Sequence, residues 1–72
     1  MTVKNLLGVL NVTANQKVRI CNESERRTYE SEPGTFAFEG YEDGAEATWK
    51  KLSSLRVMAC NFGNDIFYID AE

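Results

Sequence analysis

Two alternating stretches near the carboxyl end of the chain, separated by a break rich in glycine and asparagine, most constrain its fold. Residues 55–61 place apolar side chains at every second position, which is the spacing of a strand with one buried face. In residues 65–70, Ile66 and Tyr68 would lie on the strand face opposite to that of Phe67 and Ile69. Residues 61–64 (Asn-Phe-Gly-Asn) tolerate the left-handed backbone that hairpin turns require. The sequence therefore predicts a β-hairpin here. The residues expected to share one face of its first strand are Leu55, Val57 and Ala59.

A pattern of helical period occupies residues 2–10. Thr2 precedes the first apolar residue and is predicted to cap the helix, because its hydroxyl can accept a hydrogen bond from a backbone N–H that has no helical partner. Residues 11–15 then form the exit loop. The apolar residues that recur at i, i+3, i+4 and i+7 on one helical face are Val3, Leu6, Leu7 and Leu10.

Residues 16–22 and 26–31 are predicted to form a second hairpin. Val18 and Ile20 alternate with polar neighbours, so the first of these strands has one buried face. The second strand is mostly polar, with Tyr29 among its few strand-forming residues. Charge discourages pairing with other chains, and we therefore expect this polar strand at an edge of the sheet.

The middle of the chain is predicted to contain a turn, a short strand and a second helix. Pro33-Gly34 is a strong turn signal, and residues 35–38 are predicted as the short strand. Asp43 is predicted to cap a helix over residues 44–53. The apolar positions on one face of that helix are Ala45, Trp49 and Leu52.

These elements predict a single α+β domain over residues 1–72. In it an N-terminal helix and a second short helix pack on a small antiparallel sheet of four or five strands built from two hairpins. An apolar content of 43% and a charged content of 26% are typical of globular proteins. The core of such a short chain is small, and a second copy would supplement it, so a homodimer stays open.

Cys21 and Cys60 are predicted to be buried apolar side chains rather than a disulfide, because both lie in alternating stretches and no C-x-x-C motif is present. The apolar stretch 6–10 is far shorter than the core of a signal peptide, and no stretch approaches the ~20 apolar residues that span a bilayer. We therefore expect a cytoplasmic protein without membrane contact.

The acidic residues are concentrated in one third of the chain. Eight of the eleven lie between Glu23 and Glu46, where only Arg26 and Arg27 oppose them, giving a net charge of 2 − 8 = −6. The remainder has three acidic and six basic residues, a net charge of +3, and the two parts sum to the −3 of the whole chain. Aromatic residues are interleaved with this acidic segment, and aromatic side chains are common anchors at protein interfaces.

The acidic and aromatic segment predicts a surface for a basic partner protein, since its charge would resemble that of nucleic-acid phosphates. A solvated acidic loop that only keeps the protein soluble is the alternative interpretation. The predicted partner-binding residues are Tyr29, Glu30, Glu32, Phe36, Glu39, Tyr41, Glu42, Asp43 and Glu46.

Three other kinds of site are disfavoured. The loop 39–44 lacks the alternating acidic pattern of a calcium loop, so no metal or other cofactor is predicted. The chain contains no histidine to activate Cys21 or Cys60, and so short a chain leaves little core around a pocket, so no catalytic residues are predicted and the chain is not expected to be an enzyme. Direct nucleic-acid binding is disfavoured by the acidic balance.

The order of the elements resembles a loose group of small accessory proteins from bacteriophages and prophages of Gram-positive gut bacteria. The segments that carry the resemblance cover about two thirds of the chain and mostly make the fold. Residues 32–44 depart from it, being longer and more aromatic. The resemblance implies a phage setting in the host bacterial cytoplasm and no catalytic residues. The matching segments are Thr2–Leu7, Gln16–Ile20, Asn22–Glu25, Tyr29-Glu30 and the closing hairpin Leu55–Ile69.

Charge pattern and resemblance together predict a non-enzymatic protein-binding module. Its most concrete form is a phage-encoded inhibitor of a host nucleic-acid-handling or defence complex, anti-CRISPR-like, that covers a basic site on a nucleic-acid-binding effector. The alternative is a self-assembling structural or accessory phage protein with no inhibitory role. In that alternative the polar edge strand or the closing hairpin pairs with a second copy of the chain.

Overall fold

The computed structural model describes residues 1–10, 17–31 and 38–72. The predicted exit loop at 11–15, the Pro33-Gly34 turn and nearly all of the predicted strand 35–38 lie outside the described residues. Two helices and four strands are present in the described part. In chain order they are α1 (Val3–Leu10), β1 (Lys17–Asn22), β2 (Arg27–Glu30), α2 (Ala45–Ser53), β3 (Val57–Gly63) and β4 (Ile66–Ala71).

The four described strands form one sheet in the order β2-β1-β4-β3. The two outer pairs are antiparallel hairpins, as predicted, and β2 lies at an edge. The central pair, β1 and β4, is parallel, with Ile20 opposite Ile69. The predicted α+β class is confirmed, with the difference that the sheet is mixed. The chain leaves one hairpin, passes through α2 and enters the other from the opposite end, which makes β4 run in the direction of β1.

The hydrophobic core lies between one face of the sheet and both helices. Alternation along β1 buries Val18, Ile20 and Asn22 and leaves the residues between them half-exposed, as the sequence pattern predicts. Cross-strand neighbours on β2 and β4 continue the same buried face. The buried apolar residues are Val3, Leu6, Leu7, Val18, Ile20, Tyr29, Phe38, Leu52, Ile69 and Ala71.

The predicted cap of α1 is confirmed. The Thr2 hydroxyl oxygen accepts a hydrogen bond from the Asn5 N–H at 3.2 Å, and the Asn5 side-chain oxygen accepts one from the Thr2 N–H at 3.3 Å. This reciprocal arrangement satisfies two backbone donors that the first helical turn leaves without partners. It fixes the start of α1 beside β3, where the Val3 N–H also donates to the Leu55 carbonyl at 2.9 Å.

The predicted cap of α2 is wrong. Gly44, not Asp43, precedes the helix, at φ 86° and ψ 163°, and no side chain caps the first turn. That backbone conformation is essentially restricted to glycine. Backbone geometry, rather than hydrogen bonding by a capping side chain, therefore explains why glycine occupies the position before α2. The predicted face of the helix is largely confirmed, because Leu52 is buried and Trp49 packs on the core, stacked on Phe38 at 5.9 Å between ring centroids.

The closing hairpin turns later than the sequence predicts. Its turn is Asn64-Asp65, with φ of 53° and 62°, so Phe62 and Gly63 belong to β3. A register shift between Val57 and Ala59 also breaks the single face predicted for Leu55, Val57 and Ala59. A bulge inserts one residue into a strand and reverses the face of those that follow, which no alternation pattern reveals.

The prediction of two buried cysteines is wrong. Cys21 is half-exposed on the face of β1 that no described helix covers, and Cys60 is exposed on β3. Both thiols are free. β4 lies between the two strands that carry them, so they are not neighbours.

Candidate partner-binding surface

Seven of the nine predicted partner-binding residues lie in the described part of the chain, while Glu32 and Phe36 lie outside it. Tyr29 and Glu30 are on β2, and Glu46 is in the first turn of α2. The other four lie on the turns that lead into α2: Glu39, Tyr41, Glu42 and Asp43. The structure therefore divides the predicted surface between a sheet edge and the beginning of a helix.

Tyr29 belongs to the core and does not present its ring to a partner, since only 1% of it is exposed. Its hydroxyl accepts a hydrogen bond from the Lys51 ammonium at 2.8 Å and donates one to Glu25 at 3.2 Å. The bond to Tyr29, followed by the one to Glu25, raises the pKa of Lys51, and Lys51 in turn lowers the pKa of Glu25. The charge of Glu25 is thus balanced within the fold.

Glu42 is bound on both carboxylate oxygens by Arg27, at 2.5 and 2.9 Å. The guanidinium also lies 4.8 Å from the ring centroid of Tyr29 and 5.3 Å from that of Tyr41, within the range of cation–π attraction. Hydrogen bonding to Arg27 lowers the pKa of Glu42 to about 2. The forked geometry holds Glu42 in place, so this carboxylate fixes the turn before α2.

Glu30 is also neutralised by basic neighbours. Arg19, directly opposite it on β1, donates a hydrogen bond from Nε at 2.6 Å, and the Lys17 ammonium lies 3.7 Å away. The backbone N–H of Glu30 points away from the sheet and donates to the Tyr41 hydroxyl at 2.8 Å. Tyr41 therefore covers the free edge of β2 and attaches the acidic turns to the sheet.

Among the predicted partner-binding residues that the structure describes, three carboxylates are exposed and not bound by a basic side chain: Glu39, Asp43 and Glu46. Among the described residues no basic side chain forms an ion pair with any of them. Asp43 and Glu46 line an open depression of about 450 Å³, and Lys50 is also among its lining residues. We call these three residues the acidic corner. It is smaller than the surface that the sequence predicts.

The sequence pattern does not indicate which basic residues neutralise the other predicted carboxylates. Arg27 and Glu42 are 15 positions apart, and Lys51 and Glu25 are 26 apart, so no local spacing links them. One of the ion pairs could be predicted from the sequence. In a hairpin of β1 and β2 the register places Arg19 opposite Glu30, and opposite charges at facing positions attract.

A separate cluster brings Cys21, Glu23 and Asp70 together, with one potential ligand atom from each within 4.8 Å of the others. The Cys21 thiol donates to Glu23 at 3.4 Å. Partial burial, followed by that hydrogen bond, raises the pKa of Cys21. A raised thiol pKa lowers the thiolate fraction at neutral pH, which is unfavourable for a nucleophile or a thiolate metal ligand.

No protein-family model, curated protein or solved structure matches the chain. Neither of the helices in the described residues has the length and apolar content needed to cross a membrane.

Proposed function

We propose that the chain is a non-enzymatic protein-binding module whose acidic corner docks on a basic surface of a nucleic-acid-handling protein. The observation that carries the proposal is the separation of acidic residues into two groups. Glu25, Glu30 and Glu42 are bound by basic neighbours and hold the fold together. Glu39, Asp43 and Glu46 are left exposed, and Asp43 and Glu46 line one depression.

The corner is held by structure on both sides, which favours recognition. Asp43 and Glu46 flank the start of α2, and Tyr41 attaches the preceding turns to β2. A preorganised surface loses less conformational entropy on binding than a free loop does. The depression between Asp43 and Glu46 has room for a lysine or arginine side chain of the partner, and two carboxylates would meet its charge.

A basic groove that binds nucleic acid offers such side chains in rows. The acidic corner would compete there with phosphates, and charge attraction would speed the encounter. In the phage setting that the resemblance implies, the target is a host nucleic-acid-handling or defence complex, and occupation of its groove inhibits it. Glu32 and Phe36, which the sequence also predicts as partner-binding residues, lie outside the described residues.

The first experiment is affinity capture with the tagged chain from lysate of a Gram-positive host that carries defence systems, at low and high salt. We expect one stoichiometric basic partner that is lost at high salt, because exposed charge pairs are screened. Addition of the partner's nucleic acid should release the chain. A partner that stays bound at high salt and ignores nucleic acid contradicts the charge-based proposal.

A pair of charge reversals tests the surface itself. The variant Asp43→Lys/Glu46→Lys should weaken partner binding at least about tenfold, since like charges would face each other across the interface. The matched control Glu23→Lys/Asp70→Lys makes the same change in net charge away from the acidic corner. Equal loss in both variants would mean that only net charge matters and would contradict the assigned surface. Glu42 is left unchanged, because lysine there would face Arg27 and disturb the fold.

A further inference from the structure

The two edges of the sheet are protected to very different degrees. On β2 the outward N–H of Glu30 is bonded by Tyr41, and Arg27 is bound to Glu42 from the same turns. On β3 the first outward donor, the Val57 N–H, is bonded by the Met1 carbonyl at 2.9 Å. Beyond Val57, no described segment lies beside the outer edge of β3.

The register of the closing hairpin shows which backbone groups of β3 point outward. Gly63 and Ile66 flank the two-residue turn and form a hydrogen-bonded pair, and bonded and non-bonded pairs alternate along an antiparallel hairpin. Phe62 and Cys60 therefore belong to non-bonded pairs, and their N–H and C=O groups point to the open edge. In the described chain no other group is bonded to them.

The side chains of β3 do nothing to discourage pairing. The strand Val57–Gly63 contains no charged residue, although a quarter of the chain is charged. Met58 is 52% exposed and Phe62 is 60% exposed. Natural edge strands usually carry charge or a cover against association. In this sheet Tyr41 covers the edge of β2. Beyond Val57 the edge of β3 has neither a charged side chain nor a described segment that covers it.

We propose that a second copy of the chain pairs with this open edge, antiparallel, with the two-fold axis at Asn61. That register places Cys60 of one copy opposite Phe62 of the other, and the reciprocal pair follows by symmetry. Every outward backbone group of both residues then has a partner, about four hydrogen bonds in all. The product is a continuous sheet through both copies.

Charge and Met1 together select this occupant and this register. The chain carries a net charge of −3, so two copies repel over most of their surfaces, but the uncharged β3 brings no like charges together. A two-fold axis at Cys60 would set Gly63 of the second copy against Val57, where Met1 already occupies the edge. An axis at Asn61 shifts the register by two positions, so that Gly63 of the second copy faces Ala59, clear of that block.

The mass of the chain in solution, measured by light scattering from micromolar to millimolar concentration, tests the pairing. We expect a monomer–dimer equilibrium whose dissociation constant rises at least about tenfold in Phe62→Lys, because two lysines would lie roughly 7–8 Å apart across the axis. Val9→Lys is the matched control: Val9 is 73% exposed, apolar and on α1. A chain that stays monomeric throughout, or a Phe62→Lys variant that dimerises like the parent, overturns the proposal.

Disulfide trapping tests the register. In the variant Cys60→Ser/Asn61→Cys, the two new cysteines would face each other in a non-bonded pair about 4.5 Å apart at Cα, within disulfide range. The native Cys60 residues would be roughly 7–8 Å apart diagonally, beyond that range. Fast oxidation of the variant and slow oxidation of the parent is the expected result. The reverse order overturns the Asn61 axis.

The proposal is independent of the acidic corner, whose turns are attached to the other edge of the sheet. The variant Asp43→Lys/Glu46→Lys should therefore dimerise as the parent does. If that variant alone loses dimerisation, the second copy docks through the acidic corner and the β3 proposal fails. A monomer that instead binds an extended apolar peptide along β3 would assign the edge to another occupant and overturn it as well.

Discussion

Arg27 shows how a basic neighbour turns an acidic side chain of this protein into a structural one. Its guanidinium lies close to the Tyr29 and Tyr41 rings and binds Glu42 with two nitrogens. Lys51 has the same role for Glu25. An acidic residue held in this way is structural, whatever its position in the sequence. The charge count of the acidic segment therefore overstates the charge that a partner would meet.

The Glu42–Arg27 pair predicts a specific response to acid. Hydrogen bonding to Arg27 lowers the pKa of Glu42 from 4.5 to about 2, so its contribution to stability is complete above pH 4.5 and is lost as the pH falls to about 2. Glu42→Gln should lower the free energy of unfolding at pH 7, and the difference from the parent should shrink between pH 4.5 and 2. Urea unfolding across that range measures it.

A difference between parent and variant that stays constant from pH 7 to 2 would show that Glu42 acts through packing rather than charge. Asp43→Asn is the neighbouring control. Asp43 has no basic partner among the described residues, so its substitution should lower the free energy of unfolding at pH 7 less than Glu42→Gln does.

At the scale of helices and strands, substitutions at two glycines measure the effects of helix propensity and of backbone conformation separately. Gly8 is inside α1, and Gly44 precedes α2 with φ 86°. Apart from the adjacent residues and the backbone of its own helix, a Cβ atom added at either position would meet nothing within 4 Å. Gly8→Ala should raise the free energy of unfolding by about 0.5–1 kcal/mol, because alanine loses less backbone entropy in a helix. Gly44→Ala should lower it by about 1–3 kcal/mol through backbone strain.

Denaturant unfolding of the two variants, with circular dichroism at the helix minimum, measures both effects. The steric environment is equally open at the two sites, so opposite signs would identify conformation as the cause. Stabilisation by Gly44→Ala would show that the backbone before α2 relaxes to an ordinary conformation.

Helices and strands were predictable from this sequence because burial of one face leaves a local period. Val3, Leu6 and Leu7 show it for α1, and Val18 and Ile20 show it for β1. Strand pairing leaves no such trace, so the parallel contact of β1 with β4 could not be predicted. The glycine at the start of α2 and the bulge after Val57 depend on backbone geometry, which the alternation pattern does not encode.

The candidate surface was predictable only in outline. The concentration of acidic residues is visible in the sequence, and Asp43 and Glu46 remain exposed in the structure. The burial of Tyr29 and the binding of Glu42 by Arg27 arise from tertiary contacts between distant positions. Aromatic residues beside acidic ones predict interface anchors, but in this fold Tyr29 packs in the core and Tyr41 covers the sheet edge.

At the scale of the whole molecule, the parallel contact between β1 and β4 joins the two hairpins into one cooperative unit. Ile20 and Ile69 face each other at its centre, and both are buried. A two-stranded hairpin alone is only marginally stable in water, so each hairpin depends on the other for its stability. The structure predicts that the two hairpins unfold together.

Two probes of unfolding test this cooperativity. The fluorescence of Trp49, on α2, and the backbone circular dichroism should give the same midpoint. Ile20→Val on β1 should destabilise the chain by about 0.5–1.5 kcal/mol and shift both probes equally. Separate midpoints, or a shift in the backbone signal alone, would show that the hairpins unfold independently.

The hydrogen bond from the Glu30 N–H to the Tyr41 hydroxyl gives the molecule an internal reporter. An edge amide held by one side chain exchanges its proton for deuterium only when that side chain moves away, so its rate measures how often the turns before α2 detach from the sheet. A ligand that presses those turns onto β2 would slow exchange at Glu30, and one that lifts them would accelerate it. The direction of that change would distinguish the two modes of engagement without any label on the protein.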